Sequence, residues 1–163
     1  MLGQNIAFGA MALVICGAAV RVVTTKNVVH AALYLVLVLS GVAGIFVLLA
    51  AEFLAIVQIL VYIGAIVVLF LFGIMLTRAP IGRSSELDND QRWAGALVGL
   101  FLFGLLAWTL NDGFGDAKVE PTAVGASGEV GISIFQTFVI PFEVISVLLL
   151  AALVGAVVIA RRD

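Results

Sequence analysis

Residues 52 to 76 read EFLAIVQILVYIGAIVVLFLFGIML. One acid opens the run, and after it only Gln58, Tyr62 and two glycines interrupt the hydrocarbon side chains. About 20 apolar residues cross the hydrocarbon core of a bilayer as an α-helix. A run this long and continuous predicts a membrane span. Alternating strands of a transmembrane barrel would read differently, as short apolar–polar segments.

Four further runs behave in the same way. Membrane helices are expected over roughly residues 3–20, 31–51, 53–77, 93–110 and 141–160. The second and third are joined by almost nothing, which predicts a tight hairpin. Residues 78–92 and 111–133 are the polar stretches and are expected to be loops. Of the 163 residues 64% are hydrophobic and only 11% charged. A soluble domain is about half apolar and a quarter charged, so this surplus has to face lipid. The expected fold is an all-α, five-helix integral membrane domain over 1–163. No repeat of helix pattern is visible, which argues against a transporter built from inverted halves.

The basic residues divide unevenly. Five spans put Arg21, Lys26, Arg78, Arg83, Arg92, Arg161 and Arg162 on one side and Lys118 alone on the other. The positive-inside rule then predicts an outer N-terminus and a cytoplasmic C-terminus. The loop acids Asp112, Asp116, Glu120 and Glu129 fall on the outer side and read as a solvated surface. The first run lacks a basic leader and is read as a helix rather than a cleaved signal. Cys16 is the single cysteine, so it forms no internal disulfide and no multi-cysteine cluster. His30 is the single histidine, at the cytoplasmic start of the second span, and rules out a paired haem ligation within the chain.

Ionisable groups within membrane spans are costly and mark function by default. Glu52 and Glu143 both fall at the expected outer ends of helices. There a carboxylate meets the positive end of the helix dipole, so a helix-start role competes with a proton-carrying one. Tyr62 is different. Ten residues into its span, it lies roughly 15 Å deep, near the bilayer centre. Gln58 is one turn earlier, on nearly the same face. A phenol and an amide at that depth need partners or water. They are helix–helix glue or they line a hydrated proton path, and the residues alone do not choose. Gly64 weakens the helix just beyond and leaves room for another backbone. Small residues at Gly41, Gly44, Gly95, Gly99, Ala151 and Gly155 suit close helix packing.

Together with KNVVHAALYLVLVL (26–39) and PFEVISVLLLAALVGAVVIAR (141–161), the run EFLAIVQILVYIGAIVVLFLF (52–72) resembles the subunit J family of bacterial NADH–quinone oxidoreductase, respiratory complex I. The resemblance covers nearly the whole chain. One departure is Val28, where the family usually carries proline. The resemblance implies a multi-pass subunit of the bacterial inner membrane that helps couple quinone reduction to proton pumping. It implies FMN, iron–sulfur clusters and quinone on other subunits, and no cofactor or metal on this chain. Its partners would be other membrane-arm subunits near the quinone-site junction and the lipid bilayer, with no nucleic acid. It further implies a π-bulge over Tyr62, Ile63, Gly64, Ala65, Ile66 and Val67, whose conversion to α-helix opens or closes a water path. Tyr62, Gly64, Gln58, Glu52 and Glu143 are then the proton-path and gating candidates. A purely structural subunit and an independent small channel are the competing readings.

Overall fold

The computed structural model describes residues 2–76, 91–115 and 126–161. Every regular element among the described residues is helical: α1 (Leu2–Thr24), α2 (Val28–Leu48), α3 (Glu52–Val57), a π-helical stretch (Gln58–Val67), α4 (Val68–Leu76), α5 (Arg92–Phe114), α6 (Ser127–Gln136) and α7 (Val139–Ala160). α3, the π-helical stretch and α4 run on without a break, so five segments are long and apolar enough to cross a membrane.

α2 starts three residues before the expected position, because Asn27 caps it. The Asn27 side-chain oxygen accepts from the backbone N–H of Val29 at 2.9 Å and of His30 at 3.3 Å. Val28 is then the first helical residue, the place where proline is favoured. Valine there gives up that preorganisation and disturbs nothing further along.

The turn to α3 takes three residues, Leu49–Ala51. The Ala51 N–H reaches back to the Phe46 carbonyl at 2.9 Å, and the Ala50 N–H to Val47 at 3.0 Å. These two bonds form a Schellman cap, which needs a left-handed residue just past the helix end. That residue is Ala50, with φ 57°. The expected tight hairpin is present, closed with an alanine where glycine would be relaxed.

The polar stretch at 111–133 departs from expectation. α5 continues to Phe114, so Asp112 is helical and exposed, and Ser127–Gln136 forms α6. Asp116, Lys118 and Glu120 lie outside the described residues, as does 78–90 of the other expected loop with Arg78 and Arg83; Gln91 and Arg92 lead into α5. α6 packs on α3 and, through an edge-on Phe135–Phe142 ring pair 5.0 Å apart, on α7. The α2–α3 turn and the α6–α7 corner therefore share one side of the bundle.

Packing is concentrated in one half of the molecule. α1, α2 and the α3–π–α4 span form a three-helix sheaf. Its buried residues are small: Ala18, Ala32, Ala43 and Ala55, with Val67 and Gln58. Ala32 and Ala43 are eleven residues apart, three helical turns, and so lie on one face of α2. Gly41 and Gly44 bring α1 against the same helix: an added Cβ would collide with Ile15 at Gly41 and meet the Met11 sulfur at 3.2 Å at Gly44. α5 packs on none of the other described elements, and no residue of Trp93–Phe114 or of α7 is buried. Gly95 and Gly99 meet nothing within 4 Å, so the expected small-residue contacts of α5 are not made within this chain.

Two substitutions test this account. Ala50→Gly should stabilise the chain by about 1 kcal/mol, because glycine removes the left-handed penalty; it should be seen as a higher thermal midpoint in detergent. Gly41→Val should lower that midpoint by an amount corresponding to about 1–3 kcal/mol, as expected for overpacking against Ile15, whereas Gly95→Ala should leave it unchanged.

Candidate functional site

The middle of the third span is where the backbone leaves the regular pattern. Over Gln58–Val67 it makes i→i+5 hydrogen bonds, a π-helix of ten residues. Such turns are rare and concentrate at functional sites. The Tyr62–Val67 segment lies wholly within it, and the irregularity begins four residues earlier than the resemblance implies. Upstream, the Gln58 N–H is shared between the carbonyls of Leu54 and Ala55. Downstream, the Val68 N–H bonds to Ala65, an i→i+3 contact. The π-stretch is thus bounded by two turns tighter than itself.

Gln58 and Tyr62 do not share an environment. Gln58 is 7% exposed, the one buried polar residue among those described, and its Nε2 donates to the Leu39 carbonyl of α2 at 3.5 Å. Tyr62 is 47% exposed and points away from the sheaf. The two side chains are four residues apart, yet only Gln58 meets α2. Gly64 is exposed too, and the nearest atom to a Cβ placed there is the Ile59 carbonyl oxygen of its own helix at 3.4 Å. No other described segment of this chain approaches it.

The two acids also separate. Glu52 is the first residue of α3 and stands in its first turn, exposed. Glu143 is the fifth residue of α7, not a first-turn acid, because that helix starts at Val139. Pro141, at its third position, is still among the first four residues, whose N–H groups have no intrahelical partner. Glu143 lies in a shallow groove on α7 with Ile140, Val144 and Val147. Neither acid is brought near Tyr62 by a described contact. On α2, His30, Leu33, Tyr34, Val36, Leu37 and Ser40 line another open groove. His30 is exposed at the third residue of the helix. No group of three potential metal ligands occurs among the described residues.

The family model for NADH-ubiquinone/plastoquinone oxidoreductase chain 6 matches residues 18–159, from the last third of α1 nearly to the end of α7. The chain belongs to this family. It is 39% identical to F(420)H(2) dehydrogenase subunit J of Methanosarcina mazei, over 98% of this chain and 92% of that one. It is 39% identical to NAD(P)H-quinone oxidoreductase chain 6 of Leptolyngbya boryana, over 98% and 81%. With NADH-quinone oxidoreductase subunit J of Escherichia coli the identity is 36%, over 93% and 86%. The chain is a membrane subunit of the NADH–quinone oxidoreductase family of enzyme complexes, and its partners are other subunits of such a complex.

Two features of the site were not read from the residues: the Leu39 carbonyl as the partner of Gln58, and the early start of the π-helix. The small-residue face of α2 at Ala32 and Ala43 was a usable signal for the first. A photo-crosslinking amino acid at position 62 should capture another subunit or lipid, and one at position 43 should capture only this chain; mass spectrometry of the crosslinked complex distinguishes them.

Proposed function

We propose that this chain is a coupling subunit of a proton-translocating oxidoreductase, in which the π-stretch at Gln58–Val67 gates a hydrated path between this chain and its neighbours. The observation that carries the proposal is a ten-residue π-helix at mid-span in a member of this family. A π-helix and an α-helix of the same residues differ by one hydrogen-bond register, so the segment has two internally bonded forms. Both satisfy the backbone in lipid, where unmade bonds are prohibitive. Conversion would move Tyr62, which is half exposed, relative to Gln58, which is held on α2.

In this reading the chain supplies no redox chemistry. Electrons pass through flavin, iron–sulfur clusters and quinone on other subunits. The relatives' names carry different electron donors, F420H2, NAD(P)H and NADH. A membrane subunit shared among them fits a role downstream of the donor. The charge asymmetry supports an outer N-terminus in a bacterial inner membrane. Glu52 then stands at the outer surface. Glu143, one turn further into its helix than a capping acid, is the better placed of the two to contact a partner.

A structural reading is favoured by one observation, the Gln58–Leu39 bond, which is what interhelical glue looks like. The two readings part on variants of the exposed side. Gly64→Leu and Tyr62→Phe should assemble and retain quinone reduction while the proton-to-electron ratio of the complex in proteoliposomes falls. A normal ratio in assembled Gly64→Leu complex would leave the structural reading standing and remove the gate.

A further inference from the structure

We infer that Gln58 is a positioning residue: its amide, bonded to the Leu39 carbonyl, sets the residue at which the π-helix begins and holds the upstream half of the span in register on α2. The functional consequence rests on the gate reading above; the positioning itself does not.

Interhelical glue could sit anywhere along the seam between α2 and the third span. The other buried residues of α2 and the third span among those described, Ala32, Ala43, Ala55 and Val67, have side chains with no hydrogen-bonding group. Gln58, the one buried polar side chain among the described residues, stands at the junction where α-helix becomes π-helix. At that residue two constraints coincide. The Gln58 N–H is divided between Leu54 and Ala55, closing the last regular turn, while its side chain reaches across to α2.

The acceptor is itself held. Leu39 is in the interior of α2, two residues before Gly41, and Gly41 is in van der Waals contact range of Ile15 on α1. The α1–α2 pair is thus a frame to which Gln58 is tied.

The downstream end is held differently. Val67 is 2% exposed, but its side chain offers only apolar contact. Such contact is non-directional and tolerates sliding or rotation, whereas a hydrogen bond weakens steeply with misalignment. Upstream a directional bond fixes the register, and downstream a non-directional contact keeps the helix close without fixing it.

Hydrogen–deuterium exchange of the assembled complex tests this. Gln58→Met keeps the length and apolar bulk and removes the donor. Gln58→Asn keeps the amide but is one methylene too short for the Leu39 carbonyl. In both, backbone exchange over 58–67 should rise about threefold to tenfold, with α1 and the first half of α2 unchanged, as expected for losing one interhelical bond in a locally opening segment. Exchange over 58–67 that is unaltered, or that rises equally in α1 and α2, would overturn the proposal. So would failure of both variants to assemble, since Gln58 would then be a requirement of folding rather than of register. The proton-to-electron ratio of the same preparations separates the two claims: altered exchange with a normal ratio leaves Gln58 as the anchor and removes the gate.

Discussion

In hydrocarbon a backbone carbonyl has no water to turn to, and each N–H must find its acceptor within the protein. The described elements of this chain obey that constraint by being helical throughout, with the Asn27 cap at one helix start and a Schellman turn at Leu49–Ala51 closing another helix end. The same constraint limits how a membrane helix can change shape. It frays or opens only at high cost, because the freed groups would be stranded. It can exchange one complete hydrogen-bond register for another. The π-stretch at Gln58–Val67 is the one place in the described chain where the alternative register is already in use.

The packing around that stretch separates fixed parts from adaptable ones. α1 and α2 meet through glycine and alanine, close enough that Ile15 occupies the space a side chain at Gly41 would need. Small residues of this kind give close approach and little freedom. The third span meets the pair through Gln58 at one end of its π-stretch and Val67 at the other. Tyr62 and Gly64, between them, face away. α5 and α7 are almost wholly uncovered by the other described residues. Family membership agrees with that geometry.

Much of the fold was legible in the residues, for a plain reason. Hydropathy over 20 residues is a sum of many small transfer energies, and single residues hardly alter it. All five spans could be read this way, and the tight α2–α3 hairpin follows from the absence of polar residues between two of them. Ends were less legible. They depend on single side chains, such as the Asn27 cap, which moved the start of α2, and on local turns, such as the one that starts α7 at Val139 and takes Glu143 out of the first turn. α6 was missed because SGEVGISIFQ is short, glycine-containing and polar on one side, and so resembles a loop more than a span.

The sequence by itself determined that this chain spans a membrane five times and carries an amide and a phenol near the centre of its third span. It also showed a glycine where that span could yield. Tertiary structure alone decided where those groups sit. Gln58 and Tyr62 are four residues apart and equivalent by spacing, yet one is buried against the Leu39 carbonyl and the other is half exposed. The difference arises because only one of the two side chains meets α2. Periodicity along one helix does not say where a neighbouring helix will lie, so it could not foresee which of the two side chains that neighbour covers.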